Sequence, residues 1–166
     1  MTTPTQDFKG KLTTWPAITD FIWAGAAIFT LVSLKTGARF TYRVKAKRED
    51  VEAGRTGPEV TYFASLLRGP DNGADYVYIG VMRQPAQFNL TSASRVGRSA
   101  DSVKALVWFL DAMARQRDIL GSGDKGLPPL VEFWTDGRCG RCGRLLSVPT
   151  SVADGFGPEC VKRRAA

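Results

Sequence analysis

Three cysteines are the residues of this chain best suited to chemistry, and all lie near its C-terminal end. Cys139 and Cys142 are separated by two residues, and Cys160 follows after seventeen more. Two thiolates at that spacing can grip one tetrahedral ion when a tight turn, with Gly143 after the second cysteine, aims both sulfurs the same way. Pro158 stands where a helix can start, which puts Cys160 in the first helical turn, where the helix N-terminus favours a thiolate. Knuckle, excursion and helix-borne cysteine form the layout of a small treble-clef or ribbon-like zinc module.

A structural zinc site has four protein ligands, whereas this chain offers three cysteines and no histidine. Asp136, just before the knuckle, is the first candidate for the fourth position, ahead of Asp154 and Glu159; water or a partner's residue are the other options. The competing reading is a redox pair at Cys139 and Cys142 with Cys160 as an apolar residue. A thioredoxin-type motif opens a helix, however, and Gly140 and Gly143 break one. A closed site is structural, and catalysis needs an open position with a base beside it.

The run Gly137-Arg138-Cys139-Gly140-Arg141-Cys142-Gly143-Arg144, with Ser147 to Val152 and Gly155-Phe156-Gly157-Pro158-Glu159-Cys160, resembles a C-terminal module of an uncharacterised phage and prophage protein family. Phe29-Thr30-Leu31, Thr36-Gly37-Ala38-Arg39-Phe40-Thr41-Tyr42 and Gly69-Pro70-Asp71-Asn72 resemble the N-terminal part of the same proteins. The resemblance implies a phage origin and a metal-binding tail, and no activity. It also implies a histidine where Thr135 stands; its absence here leaves that role to Asp136.

The elements that must carry these residues follow from periodicity. The 166 residues suffice for one domain with a small appendage, and 43% hydrophobic content supports a core. No apolar run is long enough to span a bilayer and the polar N-terminus is no signal peptide, so the expected location is the cytoplasm of a bacterial host. Residues 1–14 read as a flexible leader. Pro16 and Gly25 bracket a short helix, Ala17 to Ala24. Period-two patterns then predict strands over residues 27–34, 39–47, 59–67, 75–82 and 130–134, with a charged loop over 48–58 and an irregular stretch over 84–98. Ser99 can cap a long helix reaching about Leu120, with Val103, Leu106, Val107, Leu110 and Ala114 on its apolar face. The sequence therefore predicts an α+β fold: an antiparallel sheet of four to five strands, one long helix, a linker over 121–129 and a zinc module over 130–166 appended to a 15–120 core.

The second chemical feature is charge, a net +7. In the 39–47 strand, Arg39, Arg43, Lys45 and Lys47 share one face with Thr41 and no acid. Same-face residues recur about every 7 Å, close to the phosphate spacing of a nucleic-acid strand. The same row also serves as a solvated outer face. Tyr76 and Tyr78 share a face with Gly80 and Met82; exposed beside the basic strand, they would be platforms for unpaired bases. Arg138, Arg141 and Arg144, with Lys162, Arg163 and Arg164, add a second basic patch around the cysteines. The absence of histidine excludes a Ser-His-Asp or Cys-His nucleophile, and the glycine turn at 69–73 lacks the Gly-Lys-Ser/Thr of a phosphate loop. The leading expectation is a non-catalytic, zinc-stabilised protein that binds single- or double-stranded nucleic acid. The alternatives are a phage protein that inhibits a host or defence protein, and an enzyme with an open zinc position.

Overall fold

A computed structural model describes residues 10–71, 73–122 and 124–164, with side chains to Val161. Of the leader read over 1–14, residues 1–9 lie outside the described residues, as do Asn72 of the glycine turn and Gly123 of the linker.

The architecture is α+β. Seven strands, β1 (Gly10–Leu12), β2 (Ala26–Ser33), β3 (Arg39–Ala46), β4 (Tyr62–Leu67), β5 (Tyr76–Arg83), β6 (Gln87–Asn89) and β7 (Val131–Thr135), form one antiparallel sheet in the order β1-β7-β2-β3-β4-β5-β6. The helices are α1 (Trp15–Ile22), α2 (Arg48–Glu52), α3 (Asp101–Ala114), α4 (Pro149–Asp154) and α5 (Pro158–Arg164). No helix among the described residues is long and apolar enough to cross a membrane.

Seven strands exceed the four to five that the sequence predicts. The extra ones are short: β1 and β6 have three residues each, too few for alternation to register. β1 lies where the leader is expected, and β6 lies inside the irregular 84–98 stretch. The charged 48–58 loop begins with α2, supported by an Arg48–Glu52 pair one turn apart. β7, with which the 130–166 segment begins, joins the same sheet, next to its edge, between β1 and β2. The long helix stops at Ala114, short of Leu120. Gln116 turns left-handed (φ 49°), and the Arg117 N–H closes back onto the Ala112 carbonyl, a terminus that ends the helical ladder.

Alternation in the strands decides what the helices cover. Ala27, Phe29 and Leu31 of β2, Tyr42 and Val44 of β3, Ala64 and Leu66 of β4, and Val131 and Phe133 of β7 are buried on one face. α1 and α3 pack there. Phe133 stacks on Phe29 (centroids 4.8 Å apart) and Phe109 of α3 (5.7 Å), and meets the edge of Phe21 of α1 (5.9 Å). Two buried tyrosine hydroxyls are satisfied: that of Tyr42 donates to the Ser102 carbonyl at 2.6 Å and that of Tyr62 to the Trp23 carbonyl at 2.8 Å. Both helices thus use one face of the sheet, and the other is left to polar and half-buried side chains.

Phe133→Ala removes the ring that three elements share. It should cost about 3–5 kcal/mol of unfolding free energy in urea, whereas Trp108→Ala, at a site 42% exposed, should cost well under that.

Candidate functional site: a cysteine cluster and a basic sheet face

The cysteine cluster is built from backbone turns. After β7 the chain reverses twice, at Gly137 and Gly143, both with positive φ. The Cys139 N–H donates to the Arg144 carbonyl and the Gly143 N–H to the Cys139 carbonyl, both at 2.9 Å, closing the knuckle that aims the two thiols together. Pro158 opens α5, and Cys160 is its third residue, as the sequence predicts. The ligand atoms of Cys139, Cys142 and Cys160 lie within 4.8 Å of one another, close enough to hold a metal ion. Cys139 is fully buried, Cys160 is 9% exposed and Cys142 is open to solvent.

Thiols packed this tightly contest each other's charge. Burial opposes ionisation of Cys139, but N–H groups of Gly157, Cys142 and Arg141 and the Cys142 side chain outweigh it and hold that thiol below its ordinary value. Burial, then the neighbouring Cys139 charge, pushes Cys160 up to about 11. A cation among them would relieve that conflict by favouring every thiolate at once.

Asp136, the expected fourth ligand, is not among the ligand-type side chains that gather with the cysteines. It continues the alternation of β7, in which Glu132, Trp134 and Asp136 point away from the buried Phe133 and Thr135. Its carboxylate accepts the Arg138 N–H at 3.2 Å and lies 3.6 Å from the Arg138 guanidinium. Glu159 borders the same cavity as the cysteines, whereas Asp154 does not. Thr135, whose place the resemblance gives to histidine, is buried with no hydrogen-bond partner for its hydroxyl among the described residues.

The knuckle is docked rather than appended. The Ala26 N–H donates to the Gly140 carbonyl at 2.8 Å, and the Gly140 N–H to the Gly155 carbonyl at 2.9 Å. A Cβ on Gly140 would stand 2.7 Å from the Phe21 ring, so glycine there is what lets α1 and the knuckle touch.

On the uncovered sheet face, Arg39 and Lys45 are exposed and Arg43 is half-buried between them, with Thr41 buried and bonded to Thr30 at 2.7 Å. Lys47, just past β3, is exposed at the start of α2. Burial, then the neighbouring Arg43 charge, holds Lys45 below the ordinary lysine value. The face predicted for the tyrosines is half right. A register shift between Ala64 and Ser65 leaves Ile79 as an extra residue. Tyr76 and Tyr78, opposite Leu67 and Ser65, therefore lie on the basic face, while Gly80 and Met82, opposite Ala64 and Tyr62, lie under the helices. The Arg43 guanidinium sits 4.4 Å from the Tyr76 ring centroid, so one side of that ring is already occupied. The Tyr78 hydroxyl accepts from Thr91 at 3.2 Å.

Sequence reasoning missed three residues of this face. Phe63, 38% exposed, stands opposite Lys45; Trp134 stands opposite Thr30; and Lys11 lies over Trp134 at 5.6 Å while paired with Glu132. The alternation Glu132, Trp134, Asp136 carried the signal for Trp134. The second basic patch divides. Arg138 reaches the sheet face, where its charge is felt at Tyr76. Arg141 donates to the Val51 carbonyl at 3.0 Å, and with Arg144 it lines the cysteine cavity. The side chains of Lys162, Arg163 and Arg164 lie outside the described residues.

Residues 135–165, the cysteine region, match the model of a family of unknown function (DUF6011). No curated protein and no solved structure matches the chain.

Elemental analysis of purified protein should find metal bound to the wild type, loss of most of it in Cys142→Ser, and no change in Asp136→Ala. A second expectation concerns Tyr76, whose buried hydroxyl has no hydrogen-bond partner among the described residues. Burial first, with the Asp136 charge, raises its pKa from 10.0 to about 12. The folded state therefore keeps the proton longer than the unfolded chain, and stability held below pH 10 falls as pH rises toward 12. Tyr76→Phe should gain about 1 kcal/mol at neutral pH and lose less stability across that alkaline window, both read by urea titration.

Proposed function

We propose that this protein is a non-catalytic, zinc-stabilised nucleic-acid-binding protein of phage type, acting in the bacterial host cell. The observation that carries the reading is the uncovered face of the sheet. α1 and α3 pack on the opposite side, and the face they leave combines cations with rings, exposed at Arg39, Lys45 and Phe63 and half-buried at Arg43, Tyr76, Tyr78 and Trp134. Cations track phosphates and rings stack on bases, a combination suited to an unpaired strand lying across the sheet. Crowding of Arg43 against Lys45 adds a reason for an anionic partner, since phosphates would relieve their repulsion. The net charge of +7 would speed approach to such a polymer.

Zinc is the ion that three clustered thiolates in a knuckle-and-helix arrangement suit best. Its role would be to fix the knuckle against Phe21 and so hold Arg138 at the end of the sheet face. Among the described residues no carboxylate gathers with the three sulfurs, and a structural role is the reading we adopt over turnover.

Binding to fluorescent single-stranded and duplex oligonucleotides across a salt series tests the reading. The affinity should fall steeply with salt for wild type. The triple variant Arg39→Ser, Lys45→Ser, Lys47→Ser should flatten the log–log slope by about 2–3 units, with the urea midpoint preserved. Absence of binding to either form at low salt would overturn the proposal in favour of a phage protein that docks on a host or defence protein.

A further inference from the structure

All three cysteines line one cavity of about 790 Å³, a size typical of small-molecule sites. Of these, Cys139 is fully buried and Cys142 is exposed to solvent. Among the described residues no fourth histidine, cysteine or carboxylate gathers with the sulfurs. The cavity also carries three arginines, in different states. Arg48 is paired with Glu52, and Arg141 is committed to the Val51 carbonyl. Arg144 takes part in neither contact and is exposed. Leu145 and Leu146 supply apolar wall beside it.

We infer that the chain leaves one position of its metal ion to be filled from this cavity by a small exogenous thiolate that also carries a carboxylate. The inference rests on the metal reading of the cysteine cluster and not on nucleic-acid binding. An ion that selects three thiolates favours a soft donor in the remaining place, which sets the sulfur end of the ligand. Three thiolates around a dication leave a net negative charge, so a cation beside the site favours the binding of a fourth anion. Arg144 supplies it, and a guanidinium pairs best with a planar carboxylate. The apolar wall suits the short carbon chain between the two groups. On binding, the sulfur donates its electron pair to the metal and the thiol proton passes to solvent, displacing any water held there.

The test uses the full chain loaded with cobalt(II), whose visible absorption reports the number of sulfur donors, titrated with 3-mercaptopropionate, 2-mercaptoethanol and propionate. The expected result is a saturable rise in sulfur-to-cobalt absorption with 3-mercaptopropionate while cobalt stays with the protein on gel filtration. 2-Mercaptoethanol, lacking the carboxylate, should bind about tenfold more weakly, and propionate should not raise that absorption. Arg144→Gln should bring the two thiols to equal affinity without changing the spectrum of the ligand-free protein. Three results would overturn the inference: a spectrum indifferent to millimolar thiol, cobalt stripped from the protein by the thiol, or a ligand-free spectrum altered by Glu159→Gln, which would mean that the chain fills the position itself. Failure of the protein to take up cobalt would overturn the metal reading along with it, whereas cobalt uptake without a thiol response would overturn this inference alone.

Discussion

The ring of Phe133 is the contact on which the rest of the molecule depends. It lies flat between Phe29 and Phe109 and receives the edge of Phe21, so one side chain joins the sheet, α3 and α1. Phe21 then passes the constraint onward, meeting Phe156 edge-on at 6.1 Å and filling the space above Gly140 and Gly155. The cysteine cluster is therefore positioned by the aromatic core. A ring stack that brings several elements together makes their placements interdependent, because close-packed interiors pass on displacement rather than absorb it.

That arrangement gives the two candidate sites different supports. The cysteines rest on turns whose glycines tolerate close approach, and on α5, which brings Cys160 back to the knuckle. The basic face rests on strand pairing over the width of the sheet, and its rings and cations are neighbours only because β3, β4 and β5 hold register. Asp136 and Arg138 lie at the junction, one residue past β7 and one residue before the first cysteine, and their charges are felt at Tyr76. The junction makes the end of the sheet face and the entrance to the knuckle a continuous stretch of backbone.

What could be read from the sequence tracks this division. The cysteine cluster was legible because its geometry is set by spacing over a few residues and by Pro158 and Gly143, whose conformational preferences are strong. The cations of β3 were legible from simple alternation. Tyr76 and Tyr78 were placed with the wrong companions, because one extra residue at Ile79 reverses the alternation and no local signal marks it. Asp136 was assigned to the cysteines from its proximity in sequence, whereas the pleat sends it to the other face with Trp134. The place of β7 was the least legible feature: its existence follows from residues 131–135, but its insertion between β1 and β2 depends on partners far away in the chain.

That insertion also bears on how the molecule is made. β2 and β7 pair across roughly a hundred residues of intervening chain, and β1 reaches the sheet only through β7. During synthesis the ladder from β2 through β6 can assemble first, with one flank of β2 and the apolar side of Phe29 awaiting a partner. The N-terminal strand, made first, is thus among the last to dock, and until Phe133 emerges from the ribosome the nascent chain carries an unpaired strand edge that invites pairing with other chains.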